Sequence, residues 1–425
     1  MFRRISLANF KSFRKMDFDL TEGNIGKANN LALIYGTNGS GKSNLMDAVA
    51  FLKMSSHTID GDSPDVSKLA ASVRAKGSEG PMALEFRFTN GSEDGEYLME
   101  FDPDGNLIRE KLDYTINKNA GNIFEISAEN GNPTAIYSRQ LYKNGPSKGI
   151  MDHGIVKYWG KHTFLSILRN EMSGLNPEYL DQLLGTGIMD VLDYLDGILI
   201  CRPGLESLGG TVIDRMPDAG VIDSSETDSL SAFAEAAEAF LSSAFGDVSG
   251  VRYETEDDGQ TTAYMMMVTR KDANGEIEVP IEDECLGVRE AVRILPALLK
   301  GAGGGVALVD DIEYGFHEVI LDNIFCIGLN GMEGQLIAST HDTIMLESAN
   351  PRSVFMAKNG KIIPITEIER TQRNHNNRNR YFKGVFGAIP KSEPANLADL
   401  ASKYRQSRTR TSYNEWAITQ QRNDK

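Results

Sequence analysis

Gly36-Thr-Asn38-Gly39-Ser40-Gly41-Lys42-Ser43 fills every position of the pattern G-x-x-x-x-G-K-[ST]. Glycines at these places let the backbone bend tightly around an anion, and the amide N–H groups turn inward as a nest. The positive end of a following helix adds to the attraction. Lys42 is then expected to reach the β- and γ-phosphates of a nucleoside triphosphate, and the Ser43 hydroxyl to bind Mg²⁺. Asn44 extends the same binding set. Such a site also needs a carboxylate at the end of another strand. Val306-Ala-Leu-Val309-Asp310-Asp311 supplies two. Asp310 is the Mg²⁺-side candidate, and Asp311 stands where many ATPases carry a glutamate that polarises the attacking water. A third segment, Gln335-Leu-Ile-Ala-Ser-Thr340-His341-Asp342, ends an apolar run in a polar turn that carries a histidine.

These residues need elements to hold them. Leu31-Ala-Leu-Ile-Tyr35 reads as a buried strand that delivers the chain into the glycine loop. Ser43–Met54 reads as a helix with Leu45, Val49 and Leu52 on one face. Val306–Val309 and Gln335–Ser339 read as strands, with a helix over Val319–Leu329 between them and closing strands at Val354–Ala357 and Ile362–Ile363. Around this α/β body the pattern changes. Residues 1–20 suggest a hairpin. Residues 82–143 alternate in short runs, such as Met82-Ala-Leu-Glu-Phe-Arg-Phe88, with turn signals at Asn90-Gly91 and Asp104-Gly105, as antiparallel hairpins do. Residues 161–200 and 224–245 read as helical, the latter as a surface helix, and Tyr253–Arg270 with Glu276–Ile281 as a second hairpin. The expected fold class is α/β: a P-loop NTPase with an antiparallel β-subdomain and a helical insertion. The expected divisions are 1–100, 101–280, 281–390 and a polar basic tail, 391–425.

Composition limits the alternatives. Of 425 residues, 40% are hydrophobic and 24% charged, which is ordinary for a globular chain that buries its own core. Cys201, Cys285 and Cys326 match no metal or disulfide spacing, so a reducing compartment is expected. No run approaches the length of a membrane span, and the N-terminus has no signal-peptide core. A cytoplasmic protein with no membrane partner is the expectation. The net charge is −16 but uneven: residues 370–425 hold twelve Lys and Arg against four Asp and Glu, a net +8, which leaves −24 on the remainder. A basic tail on an acidic body suits a nucleic-acid or partner contact, or simple solvation. Arg370, Arg373, Arg378 and Arg380 beside Tyr381 and Phe382 could stack on nucleic acid, or equally dock an acidic partner.

Asn9-Phe-Lys-Ser-Phe13, the loop with Asn38 inside it, Asp310-Asp-Ile-Glu-Tyr-Gly-Phe-His317 and Ser339-Thr-His341 together resemble the SMC/RecF-like branch of ABC ATPases. With Phe382-Lys-Gly-Val-Phe-Gly-Ala-Ile-Pro390, the chain is similar to stand-alone prokaryotic ATPases of the AbiL/RloA abortive-infection type. The resemblance covers 1–55 and 280–390 well and 56–280 poorly. It implies an ABC/SMC-like ATPase head using ATP and Mg²⁺. It gives His341 a γ-phosphate contact and makes Lys42, Asp311 and His341 the catalytic set. It also implies a signature segment that caps the ATP of an opposite subunit; Glu284-Cys-Leu-Gly287-Val-Arg289 stands at that place, just before an expected helix Glu290–Leu299. The family usually has serine where Cys285 stands and glutamate where Asp311 stands. A thiol is a poor donor to phosphate, and aspartate is one methylene shorter, so slow turnover is expected. No Q-loop glutamine is assigned; Gln140 is a weak candidate. His317 reads as structural or interfacial. The partners implied are further copies through the ATPase heads, as a dimer or higher oligomer, and an effector protein such as a nuclease, in anti-phage defence. A DNA-repair ATPase with DNA as partner, and an assembly scaffold with little turnover, stand as alternatives.

Overall fold

The computed structural model describes residues 1–21, 26–57, 59, 65–116, 118–129, 132–143, 145–273, 275–321, 332–371, 376–387 and 396–407. It is a mixed α/β fold in which three sheets share one unit, Met1–Ile389; Pro390–Lys425 is a separate unit whose described part is the helix Leu397–Ser407. The expected helix Val319–Leu329 beyond Leu321, Cys326, Arg373, residues 388–390 and the tail from 408 lie outside the described residues.

The strands in chain order are β1 Phe2–Phe10, β2 Phe13–Asp19, β3 Leu31–Gly36, β4 Met82–Asn90, β5 Glu93–Phe101, β6 Leu107–Ile116, β7 Asn119–Glu129, β8 Asn132–Tyr137, β9 Leu199–Cys201, β10 Ala219–Asp223, β11 Val248–Asp257, β12 Thr261–Asp272, β13 Gly275–Pro280, β14 Val306–Val309, β15 Gln335–Ser339, β16 Val354–Lys358 and β17 Lys361–Pro364. One sheet has seven antiparallel strands in the order β2-β1-β4-β5-β6-β7-β8. Its alternation is the one read from the sequence: Met82, Leu84, Phe86 and Phe88 point to one buried face. The boundary expected at residue 100 falls at the end of β5, inside this sheet.

The second sheet has the order β17-β16-β3-β15-β14-β9, with every pair parallel except β16–β17. Both of its faces are covered, as parallel sheets require. Ala32 and Ile34 face the helix Lys42–Ser55 and, beyond it, the antiparallel sheet; Phe51 of that helix meets Phe101 edge-on at 5.6 Å. Leu33 and Tyr35 face the opposite core, with Ala297, Tyr381 and Phe386. The amide of Gln335, fully buried, joins the sheets: it exchanges hydrogen bonds of 2.7 and 2.9 Å with the backbone of Phe2 and gives another, of 2.8 Å, to the carbonyl of Asn29.

The run expected to be helical over 161–200 contains helices Phe164–Met172, Pro177–Leu183 and Thr186–Gly197, but it ends in a strand. β9 pairs in parallel with β14, so the insertion returns into the edge of the parallel sheet. The third sheet is larger than the expected hairpin: β10 and β13 share one edge of β12, and β11 takes the other. The helix Asp228–Ala244 is not merely a surface helix. Leu230, Phe233, Ala234, Ala237 and Leu241 form a stripe buried against this sheet.

Candidate functional site

β3, β15 and β14 are neighbours and run the same way, so their C-terminal ends open on one edge of the parallel sheet. Ligands of such sheets bind at that edge. The loop after β3 carries Gly36–Ser43, the loop after β15 carries His341, and the turn after β14 carries Asp310 and Asp311.

Steric need explains two of the glycines. A Cβ on Gly36 would stand 2.5 Å from Ser40 Oγ and 2.7 Å from the Ala357 carbonyl oxygen. Gly41 has φ +104°, and a Cβ there would stand 2.7 Å from the ring of Phe13, so the β1–β2 turn is pressed against the loop. Asn38, Gly39 and Ser43 are exposed, while Ser40 Oγ is buried with no hydrogen-bond partner. Lys42 is only 6% exposed. Its Nζ donates to the Gly36 carbonyl oxygen at 3.0 Å and lies 3.0 Å from His341 Nε2. Burial pulls its pKa below the ordinary lysine value, against the opposing pull of Asp311, Asp310 and Glu313. Asn44 lies at the loop's end but has a partner in the turn, donating to Ser12 Oγ at 2.6 Å. Asp47, one turn on, is held by Lys11 and, at 2.8 Å, by Arg202 just past β9.

The acidic pair is fixed from the side. Ser339 Oγ donates to Asp310 and accepts the Asp311 backbone N–H at 2.8 Å. Asp311 sits at φ +46°, an unusual conformation for a non-glycine residue, and functional sites are where such backbones cluster. The Ile312 N–H bonds the Ser339 carbonyl at 3.0 Å, and Glu313 Oε1 accepts the His341 backbone N–H at 2.6 Å. Lys42, Asp310, Asp311 and His341 therefore converge from segments some 300 residues apart in the chain. Sequence reading assigned no role to Ser339 or Glu313; a polar residue ending an apolar run was the one available signal for Ser339.

The residues fit a Mg²⁺–nucleoside triphosphate. The loop cannot accept a Cβ at Gly36, an orphaned hydroxyl faces inward at Ser40, and a buried ammonium sits at its centre. Among the described residues no group of three or more His, Cys, Asp and Glu could hold a metal by itself. Mg²⁺ bound through one or two protein oxygens and the substrate phosphates needs no such group, and Ser43 with Asp310 would supply those oxygens.

Other expected residues lie apart from this group. The helix expected at Glu290 starts earlier, at Leu286, with Cys285 exposed as its N-cap. Glu284 before it is buried and gripped by Arg270 through two bonds of 2.6 Å. Gly287 packs on the turn that follows the acidic pair: a Cβ there would meet the Gly315 carbonyl oxygen at 3.0 Å. Gln140 sits in the turn after β8, where its backbone carbonyl would collide with a Cβ on Gly185. Two tail arginines are used inside the fold. Arg378 donates to Thr343 Oγ1 at 3.1 Å and pairs with Glu347 at 3.8 Å, and Arg380 pairs with Glu369 at 3.2 Å. Tyr381 is buried against Tyr35.

Among the described residues, no helix is long and apolar enough to cross a membrane. Residues 4–150 match the family model described as an AAA domain. No curated protein matches the chain. Among solved structures the chain is similar to the SMC head domain from Thermotoga maritima, at 16% identity and a TM-score of 0.39, over 85% of this chain and 98% of that one. It is also similar to the Smc head domain with an extended coiled coil, bound to the C-terminal domain of ScpA, from Pyrococcus furiosus, at 11% identity and a TM-score of 0.39, over 85% of this chain and 95% of that one.

Proposed function

We propose that this protein is an ATPase that binds ATP with Mg²⁺ in the loop Gly36–Ser43 and hydrolyses it at the edge formed by β3, β15 and β14. The observation that carries this reading is the 3.0 Å approach of Lys42 to His341 beside the paired Asp310 and Asp311. The loop amides and Lys42 bind and orient the phosphates, Ser43 and Asp310 hold the metal, Asp311 orients the attacking water, and His341 donates to the terminal phosphate. When bound, Mg²⁺ neutralises charge developing on the phosphate oxygens. The short reach of Asp311, whose backbone is already in a left-handed turn, makes turnover slow.

The finer reading is an anti-phage ATPase that works as a dimer or higher oligomer through its heads and controls an effector protein. It rests on the motif resemblance and on Gly287, whose place at an exposed helix start beside Gly315 suits contact with a second head. A DNA-repair role has less support, because Arg378 and Arg380 are committed to Glu347 and Glu369, and the body is acidic. An assembly scaffold that binds ATP with little turnover is favoured by the exposed cysteine at the signature position and by Asp311 in place of glutamate.

Phosphate release is to be measured for the wild type, Lys42→Ala and Asp311→Asn, with and without DNA, together with mass by light scattering. Turnover lost in both variants supports the assignment, and stimulation by DNA would raise the repair reading. ATP-dependent assembly without turnover selects the scaffold. No ATP binding at all sinks the central reading.

A further inference from the structure

Glu313 lies two residues beyond Asp311, in the turn after β14, and none of the roles above uses it. Two neighbouring loops are laced together at this point. The inner rungs join Asp310, Asp311 and Ile312 to Ser339. The outermost is the Glu313 carboxylate, whose Oε1 takes the backbone N–H of His341 itself at 2.6 Å. The residues on either side of His341 are held differently: the Thr340 N–H goes to the Ile34 carbonyl at 3.1 Å, and the Asp342 N–H to Thr340 Oγ1 at 3.0 Å. The His341 side chain is exposed, so core packing does not set its direction. Its contact with Lys42 Nζ and the backbone beneath it do so, and that backbone N–H is given to Glu313.

We propose that Glu313 is a positioning residue of the nucleotide site. It clamps the loop after β15 so that the His341 imidazole stands over Lys42, at the terminal-phosphate end of the glycine loop. This rests on the ATPase reading above. An oxygen that accepts this backbone N–H fixes the loop at that point, and residues that orient a reacting group from behind matter nearly as much as the group itself. The second carboxylate oxygen, Oε2, is buried with no hydrogen-bond partner, as is the hydroxyl of Tyr35. Burial, with Asp342 and Glu313 close by, pushes the Tyr35 phenol well above its ordinary range. Neither Oε2 nor the Tyr35 hydroxyl is open to water, which separates Glu313 from an ordinary surface carboxylate.

The test compares Glu313→Ala with Glu313→Gln in the full chain. The Gln amide oxygen can accept the same N–H without a charge. Expected for Glu313→Ala are a kcat lower by about ten-fold or more and an ATP Kd, from calorimetry, within about three-fold of wild type. Glu313→Gln should keep kcat within about three-fold. In the ligand-free protein, hydrogen exchange should quicken over residues 335–346 in the Ala variant and stay at the wild-type rate in the Gln variant. A Gln variant as slow as the Ala variant would show that the charge acts directly, and would overturn the proposal. So would an Ala variant with wild-type kcat and wild-type exchange. If the wild type itself does not turn over ATP, the ATPase reading fails, and the exchange rates alone decide whether Glu313 holds the His341 loop. An Ala variant that fails to fold leaves the Gln variant to decide: the proposal stands if it matches the wild type in kcat and exchange, and falls otherwise.

Discussion

The parallel sheet and the antiparallel sheet share one core across the helix Lys42–Ser55, yet among the described residues the candidate site gathers on the parallel sheet. In the antiparallel sheet each strand from β4 to β8 pairs with its neighbour in sequence. Chain ends therefore alternate between two rims, and polar side chains pair across the outer face, as Arg87 does with Glu85 and Glu96. In the parallel sheet every strand but one runs the same way. The loops after β3, β14 and β15 are forced onto one edge, and residues distant in the chain meet there. One arrangement spends its sequence on stability; the other collects reactive groups at a shared rim.

That division can be broken deliberately. The largest effect is expected at the rim: Lys42→Ala should lower phosphate release by about 1,000-fold, near 4 kcal/mol of transition-state stabilisation, while the melting temperature holds, since the lost ammonium was buried. Loss of fold with loss of activity would show that the two regions are not separable in this way. Next is Phe124→Ala in the antiparallel sheet. Phe124 is fully buried with its ring 4.7 Å from that of Phe164, so the change should cost about 3–4 kcal/mol in urea unfolding. ATP affinity of the molecules still folded should not change.

A smaller effect is expected from the buried carboxyl of Glu110. Its two oxygens accept from Tyr97 Oη at 2.8 Å, Trp159 Nε1 at 2.8 Å and the Phe164 backbone N–H at 2.7 Å, which ties the sheet to the helices that follow it. Burial outweighs these donors and pushes its pKa from 4.5 up to about 7. Between those values the folded state holds a proton that the unfolded chain releases, so stability falls as pH rises through that window. In Glu110→Gln the amide oxygen can still accept from Trp159 and Phe164, and the amide N–H can donate to Tyr97 Oη once that hydroxyl turns, all without the charge. The variant should gain on the order of 2 kcal/mol over wild type at pH 8 and nothing at pH 4; equal denaturation curves at both pH values would refute this. The smallest effect is Arg87→Ala, expected to change stability by about 0.5 kcal/mol or less, because half-exposed ion pairs contribute little. A loss several times larger would mean that the outer face holds the sheet together more than its apolar face allows.

How much was legible follows from how local each signal is. The glycine loop, β3 and the helix Lys42–Ser55 were readable because one contiguous segment carries both the turn chemistry and the apolar periods on either side. The hairpins from β4 to β8 were readable for the same reason. β9 was not: Leu199-Ile-Cys201 is three apolar residues after a helical run, too short to show a period of two, and it becomes a strand only because β14 offers it an edge. The helix begins at Leu286, four residues before the expected Glu290, because a cysteine N-cap carries no capping signal. Arg378 and Arg380 read as contacts for nucleic acid or an acidic partner, whereas in the fold they pair with Glu347 and Glu369.

By itself, then, the chain's sequence determined the glycine loop, the acidic pair and the alternation that builds the hairpins, since each depends on neighbours a few positions away. Tertiary structure decided that Lys42 faces His341, that Ser339 serves both aspartates, and that Glu313 holds the His341 backbone. Those contacts follow from which strands lie side by side in the parallel sheet. Parallel pairing joins segments that are remote in the chain, and nothing in a local window specifies the neighbour.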